Sequence, residues 1–136
     1  MDGFTLHERL EADTFEVAEL TLCSLRLMND ARYPWLILVP RQKEIRELTD
    51  LSEAEQRQLL KESAIASRAL DELFAPDKLN IGALGNVVSQ FHWHVVARYQ
   101  DDDAWPAPVW GFGEAQPYNE ASATARITQL QHALAH

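Results

Sequence analysis

The alternation and clustering of apolar positions predict four strands, one long helix and a terminal helix. ELTLCSLRLMN (19–29) places Leu20, Leu22, Leu25 and Leu27 in an imperfect period of two, and PWLILVP (34–40) is a compact apolar run bounded by prolines. The turn-prone NDARYP lies between them, so the pair predicts a hairpin. Ser52 and Glu55 have the spacing of a capping box, in which a hydroxyl and a carboxylate satisfy free amides at a helix start. Leu59, Ser63, Ala66, Leu70 and Leu73 then recur at helical spacing, and Pro76 marks the end. KLNIGAL (78–84) and QFHWHVVARY (90–99) read as two further strands joined through the turn-like GNVV. In NEASATARITQLQHALAH (119–136), Ile127, Leu130 and Leu134 fit a helix, and LHERLEAD (6–13) fits a short one at the start. With no repeat, linker or low-complexity segment, the order predicts a single α+β domain over residues 1–136. Its sheet should be mainly antiparallel, with the long helix packed on one face.

One strand carries an unusual row. In SQFHWHVV, Gln90, His92 and His94 occupy alternate positions, and these two histidines come from a total of five. On a strand, Gln90, His92 and His94 point to one side, and Phe91, Trp93 and Val95 to the other. The apolar side is expected under the helix, which leaves the polar row on the open face. Three readings of the row stand: a solvated strand face, a metal site, or a nucleophilic centre in which one imidazole attacks phosphorus while its neighbours hold phosphate oxygens. The metal reading needs a third ligand, and the remaining histidines, His7, His132 and His136, lie near the ends.

Composition narrows the function classes. A chain of 136 residues with 46% hydrophobic and 24% charged positions suits a globular domain with a continuous core. Cys23 is the one cysteine, which rules out an internal disulfide and a cysteine-rich zinc site. The net charge of −9 argues against long nucleic acids, whose binding needs basic surface, while still permitting a small anionic ligand. No apolar run approaches a membrane span, and the opening MDGFTLHERLEAD lacks the basic and apolar regions of a secretory signal. The expected location is therefore cytoplasmic.

QFHWHVV resembles the signature of the histidine triad (HIT) family, histidine–apolar–histidine–apolar–histidine–apolar–apolar, with Gln90 in the first histidine position. PWLILVPR and LNIGALGN resemble the family's strand ahead of the long helix and its strand and turn before the motif, so the likeness runs over roughly residues 16–100. It implies a dimeric α+β fold and hydrolase or nucleotidyl transferase chemistry on a nucleoside phosphate or dinucleoside polyphosphate. By this resemblance His92 is the nucleophile and His94 contacts phosphate, and protonated His94 is one way to stabilise charge on the phosphoryl oxygens. No metal or other cofactor is required by that scheme. A nucleotide-binding regulatory protein that kept the pocket and lost turnover is the alternative.

Two departures from the family pattern matter. Gln90 cannot titrate near neutrality but can donate and accept hydrogen bonds, so a positioning role fits it better than proton transfer. Trp35 stands where the family often has a further histidine, and it either fills the core or packs on a base. Asn80 and Asn86 resemble polar positions that line the family's phosphate and ribose site, Ser89 is a candidate donor to a phosphate oxygen or simply a polar residue at a strand start, and Gly82 and Gly85 suit a turn or a close approach. Asn29 and Arg32 in the hairpin turn, and Trp105 and Trp110 in QDDDAWPAPVWG, are the remaining candidates, each with a surface loop as its plainer reading.

Overall fold

In the computed structural model, which describes residues 3–135, the polypeptide builds a five-stranded antiparallel sheet in the order β1-β2-β3-β5-β4. His136, the last residue of the segment read as a terminal helix, lies outside the described residues. A short helix α1 (Glu8–Asp13) leads into β1 (Thr14–Glu19), β2 (Cys23–Met28) and β3 (Trp35–Pro40). After a single 3-10 turn at Leu48–Asp50 come α2 (Glu53–Phe74), β4 (Lys78–Gly82), β5 (Trp93–Arg98) and α3 (Glu120–Leu134). The α+β class, the antiparallel sheet and the long helix are those expected, and the β2–β3 hairpin forms where it was predicted.

The fifth strand, β1, was not expected. Its TFEVAE stretch departs from a strict period of two, and the register with β2 shifts between Glu16 and Ala18. A bulge of this kind places consecutive residues on unequal footing and hides the alternation that announces a strand.

Both faces of the sheet are covered, which explains why every residue of β3 is buried. On one face Leu25, Leu27, Leu36, Leu38 and Val95 pack with Leu59, Ala66 and Leu70 of α2 and Leu130 of α3. On the other, Trp35, Ile37, Val39 and Val96 pack with Leu10 of α1 and with Ala104 and Val109 of the long loop after β5. The capping box at α2 is formed as read: Ser52 Oγ accepts from the Glu55 N–H and Glu55 accepts from the Ser52 N–H. Ala75, with φ 43°, ends the helix in the left-handed region ahead of Pro76.

The stripe of α2 holds one charge among its apolar members. Glu62, 1% exposed, accepts from the backbone N–H groups of Leu22 and Cys23, each at 2.8 Å, and from Gln58 Nε2. A buried carboxylate persists here because three donors satisfy it, and in return it ties the helix to the β1–β2 turn. Among the described residues no helix is long and apolar enough to cross a membrane.

Candidate functional site

The strand carrying the histidine row starts later than its sequence suggests. Regular pairing begins at Trp93, so Gln90, Phe91 and His92 form an extended approach to β5 that is anchored by the Phe91 N–H on the Ile45 carbonyl. The alternation persists through this approach. Phe91 and Val95 enter the core beneath α2, where Trp93 Nε1 also donates to Ser63 Oγ at 2.9 Å, while His92 and His94 turn to the opposite side with ring centroids 4.9 Å apart. Large apolar groups on one side thus fix the two imidazoles on the other.

That other side is not the open face expected. His94 is 3% exposed, because Trp35 from β3 and Trp110 from the loop after β5 pack against its ring at 5.7 and 5.4 Å. Gly82 on β4, opposite His94 in register, lies beneath this cover, and a Cβ there would meet Trp110 Cη2 at an ordinary contact distance of 3.6 Å. What remains open is a cavity of about 550 Å³, walled by His92, His94, Trp35, Trp110 and the Leu84–Val88 turn. Gly85, at φ 74°, supplies the left-handed residue that bends this turn around the cavity.

Two hydrogen bonds assign the imidazole tautomers. His92 Nδ1 lies 2.7 Å from the Gln90 backbone carbonyl, which can only accept, so Nδ1 carries the proton and Nε2 keeps a free lone pair. His94 Nδ1 receives the Trp35 Nε1–H at 2.9 Å, so its proton sits on Nε2. His94 is therefore a neutral donor, and the expected protonated form is corrected: burial, reinforced by the charge His92 would carry, pushes its pKa down to about 3. The pKa of His92 is also lowered, chiefly by burial, with His7 acting in the same direction and the Gln90 carbonyl opposing it. Both rings are thus held neutral, and neutrality is what a nitrogen nucleophile requires.

The other candidates divide. Asn86, exposed, lines the cavity. Ser89 is exposed and stands outside its wall. Asn80 shares the sheet face of His94, but its Oδ1 accepts from Arg98 Nη1 at 2.6 Å, and Arg98, 1% exposed, pairs with Asp102 at 2.8 Å. Burial opposes the Asp102 carboxylate, yet hydrogen bonds from Arg98 and from the N–H groups of Tyr99 and Trp105 hold its pKa down at about 2. The acidic run therefore pins the loop that carries Trp110 over the site. Asn29 accepts from the Tyr118 N–H, and Arg32 is paired with Asp30 and donates to the Phe112 carbonyl, so both organise the hairpin turn. Trp35 fills the core and also bonds to His94, a role its size alone did not announce.

Gln90 makes no side-chain bond to His92. Its Oε1 accepts the His7 N–H at 2.8 Å and its Nε2 donates to the Thr5 carbonyl at 2.9 Å. Arg9, which follows on α1, lines the cavity and carried no signal in the sequence. Among the described residues no group of three or more His, Cys, Asp and Glu side chains is arranged to hold a metal ion.

Comparison with known families matches the HIT domain over residues 9–101. Among solved structures, the chain is similar to a histidine triad protein from Marinobacter aquaeolei VT8, with 48% identity, coverage of 97% of this chain and 96% of that one, and a TM-score of 0.94. A histidine triad protein from Sinorhizobium meliloti 1021 is 45% identical, with 97% and 98% coverage and a TM-score of 0.94. A zinc-bound histidine triad family protein from Mycobacterium smegmatis, 18% identical over 90% of this chain and 84% of that one, has a TM-score of 0.67 and shares the fold. Comparison with curated proteins finds no match.

Proposed function

The chain belongs to the histidine triad family, and we propose that it is a nucleotidyl hydrolase or transferase acting on the α-phosphate of a nucleoside phosphate through His92. The observation that carries this reading is the Gln90 carbonyl on His92 Nδ1, which leaves Nε2 unprotonated at the wall of a cavity large enough for a nucleotide. In the first step Nε2 attacks the α-phosphorus, the bond from phosphorus to the leaving group breaks, and the leaving group departs with that electron pair. Water or another acceptor then attacks phosphorus, the P–N bond breaks with its electron pair returning to Nε2, the incoming nucleophile loses its proton to solvent and His92 returns to its neutral form.

Around that reaction the protein supplies orientation. His94 offers its Nε2–H to a phosphate oxygen, and Trp35 keeps that proton in place by occupying Nδ1. The aromatic wall of Trp35 and Trp110 excludes water from one side and strengthens each hydrogen bond made there. Asn86 is a substrate contact in this reading, whereas Asn80 holds Arg98 and Ser89 lies outside the cavity wall. The same reading includes a homodimer, supported by edge strand β4 and the turn after it, where Ile81, Leu84 and Val87 are 48%, 53% and 81% exposed. It places the activity in the cytoplasm, where an unpaired Cys23 is ordinary.

The test is turnover of adenosine and guanosine phosphoramidates and dinucleoside polyphosphates by wild type and His92→Ala. Wild type is expected to turn over at least one of them, and His92→Ala to lose that turnover while keeping its fold. A nucleotidyl adduct trapped on another residue, or near-wild-type rates in the variant, would overturn the assignment. Tight nucleotide binding by an inert wild type would favour the regulatory alternative.

A further inference from the structure

The first position of the histidine row works at a distance. Both polar atoms of the Gln90 amide are engaged by the N-terminal segment, through the His7 N–H and the Thr5 carbonyl, across sequence separations of 83 and 85 residues. His7 in turn caps α1, its Nδ1 accepting the Arg9 N–H at 3.0 Å and its carbonyl accepting from Glu11. The sequence Gln90, His7, Arg9 is thus one continuous line of hydrogen bonds that sets where α1 lies against the cavity.

Among the described residues, Arg9 is the one side chain of fixed charge on the cavity wall that holds His92 and His94. Its ion pair with Asp13 spans 3.8 Å, beyond hydrogen-bond range, and both side chains are more than half exposed. Such a pair holds its members weakly, so the guanidinium can turn to a stronger partner. The imidazoles are neutral, and the chain as a whole carries −9. An anionic group entering this cavity beside the α-phosphate therefore meets general repulsion and, among the described residues that line the cavity, one fixed positive charge, Arg9; Arg46 borders His92 from a separate and smaller pocket.

We propose that Arg9 is a specificity-determining residue that selects substrates whose leaving group is itself anionic, such as a phosphate or nucleotide, and that Gln90 is the positioning residue that clips its helix beside the cavity. The assignment rests on the nucleotidyl transfer reading above and goes beyond it by naming the class of leaving group. An arginine held there offers charge-assisted hydrogen bonds to phosphate oxygens, and a neutral leaving group such as ammonia gains nothing from it.

The experiment compares kcat/KM for a dinucleoside polyphosphate and for a phosphoramidate of the same nucleoside. In Arg9→Ala the ratio of the two should fall about tenfold or more, the size of one lost charge-assisted contact. Arg9→Lys should recover part of that ratio, and Gln90→Leu should lower it in the same direction by releasing residues 5–7. An unchanged ratio in Arg9→Ala, in an enzyme whose wild type turns over both substrates, overturns the inference alone. A ratio as low in Arg9→Lys as in Arg9→Ala overturns the role of charge. Wild type inert toward both overturns the nucleotidyl transfer reading, and the inference with it.

Discussion

Acidification should destabilise this protein through His94 at a higher pH than it does through the Asp30 and Asp102 carboxylates. An imidazole in an unfolded chain titrates near 6.5, whereas His94 in the fold is pushed down to about 3. Between those values the unfolded state holds a proton that the folded state refuses. Stability therefore rises with pH across this window: it is complete above about pH 6.5 and is lost progressively as pH falls toward 3. At about 1.4 kcal/mol per unit, the loss from pH 6.5 to 4 is about 3 kcal/mol, a large share of a stability of roughly 5–15 kcal/mol. His92, whose pKa is lowered for the same reason, adds to the loss with the same sign. The carboxylates act lower. Asp102, held at about 2, and Asp30, held low against burial by Arg32, keep their contribution above the unfolded value near 4 and lose it as pH falls through their folded values.

Urea unfolding followed by tryptophan fluorescence at fixed protein concentration, from pH 7 to 4, measures this directly. His94→Asn is the matched variant, because its Oδ1 can still accept from Trp35 Nε1 while the residue cannot titrate. It should show a slope shallower than wild type by about one proton, near 1.4 kcal/mol per pH unit between 4 and 6. Identical slopes in the two proteins would refute the reasoning, as would a wild type that loses less than about 1 kcal/mol over the range.

Trp35→Phe keeps an aromatic ring against Tyr33 and Trp110 and removes the N–H that His94 Nδ1 accepts, which leaves a buried acceptor unpaired. A stability loss of about 1–3 kcal/mol is expected, with nitrogen NMR showing His94 no longer confined to its Nε2–H tautomer; a single unchanged tautomer would show that Trp35 does not set it. Light scattering at micromolar concentration should report about twice the 15.5 kDa chain mass, and Val87→Asp should lower it; a wild type at 15.5 kDa and fully active would remove the dimer from the proposed function.

Local periodicity sufficed for much of this protein. The apolar side chains of Phe91 and Val95 must be buried, and period-two geometry then sends His92 and His94 to the opposite side, so the pairing of these two imidazoles was legible in eight letters of sequence. The Ser52–Glu55 cap and the stripe of α2 were equally legible, because their partners lie within one helix. Strand β1 was not, since its bulge breaks the period at the place where the signal would be read. Nor could the row itself reveal its chemistry. The burial of His94 depends on Trp35, 59 positions earlier, and on a loop that Arg98 and Asp102 pin beyond the strand's end. The work of Gln90 depends on Thr5 and His7, more than eighty positions away. Alternation decides which way a side chain points, but proton placement and charge depend on what it meets there, and those contacts form only when distant segments close into one tertiary structure.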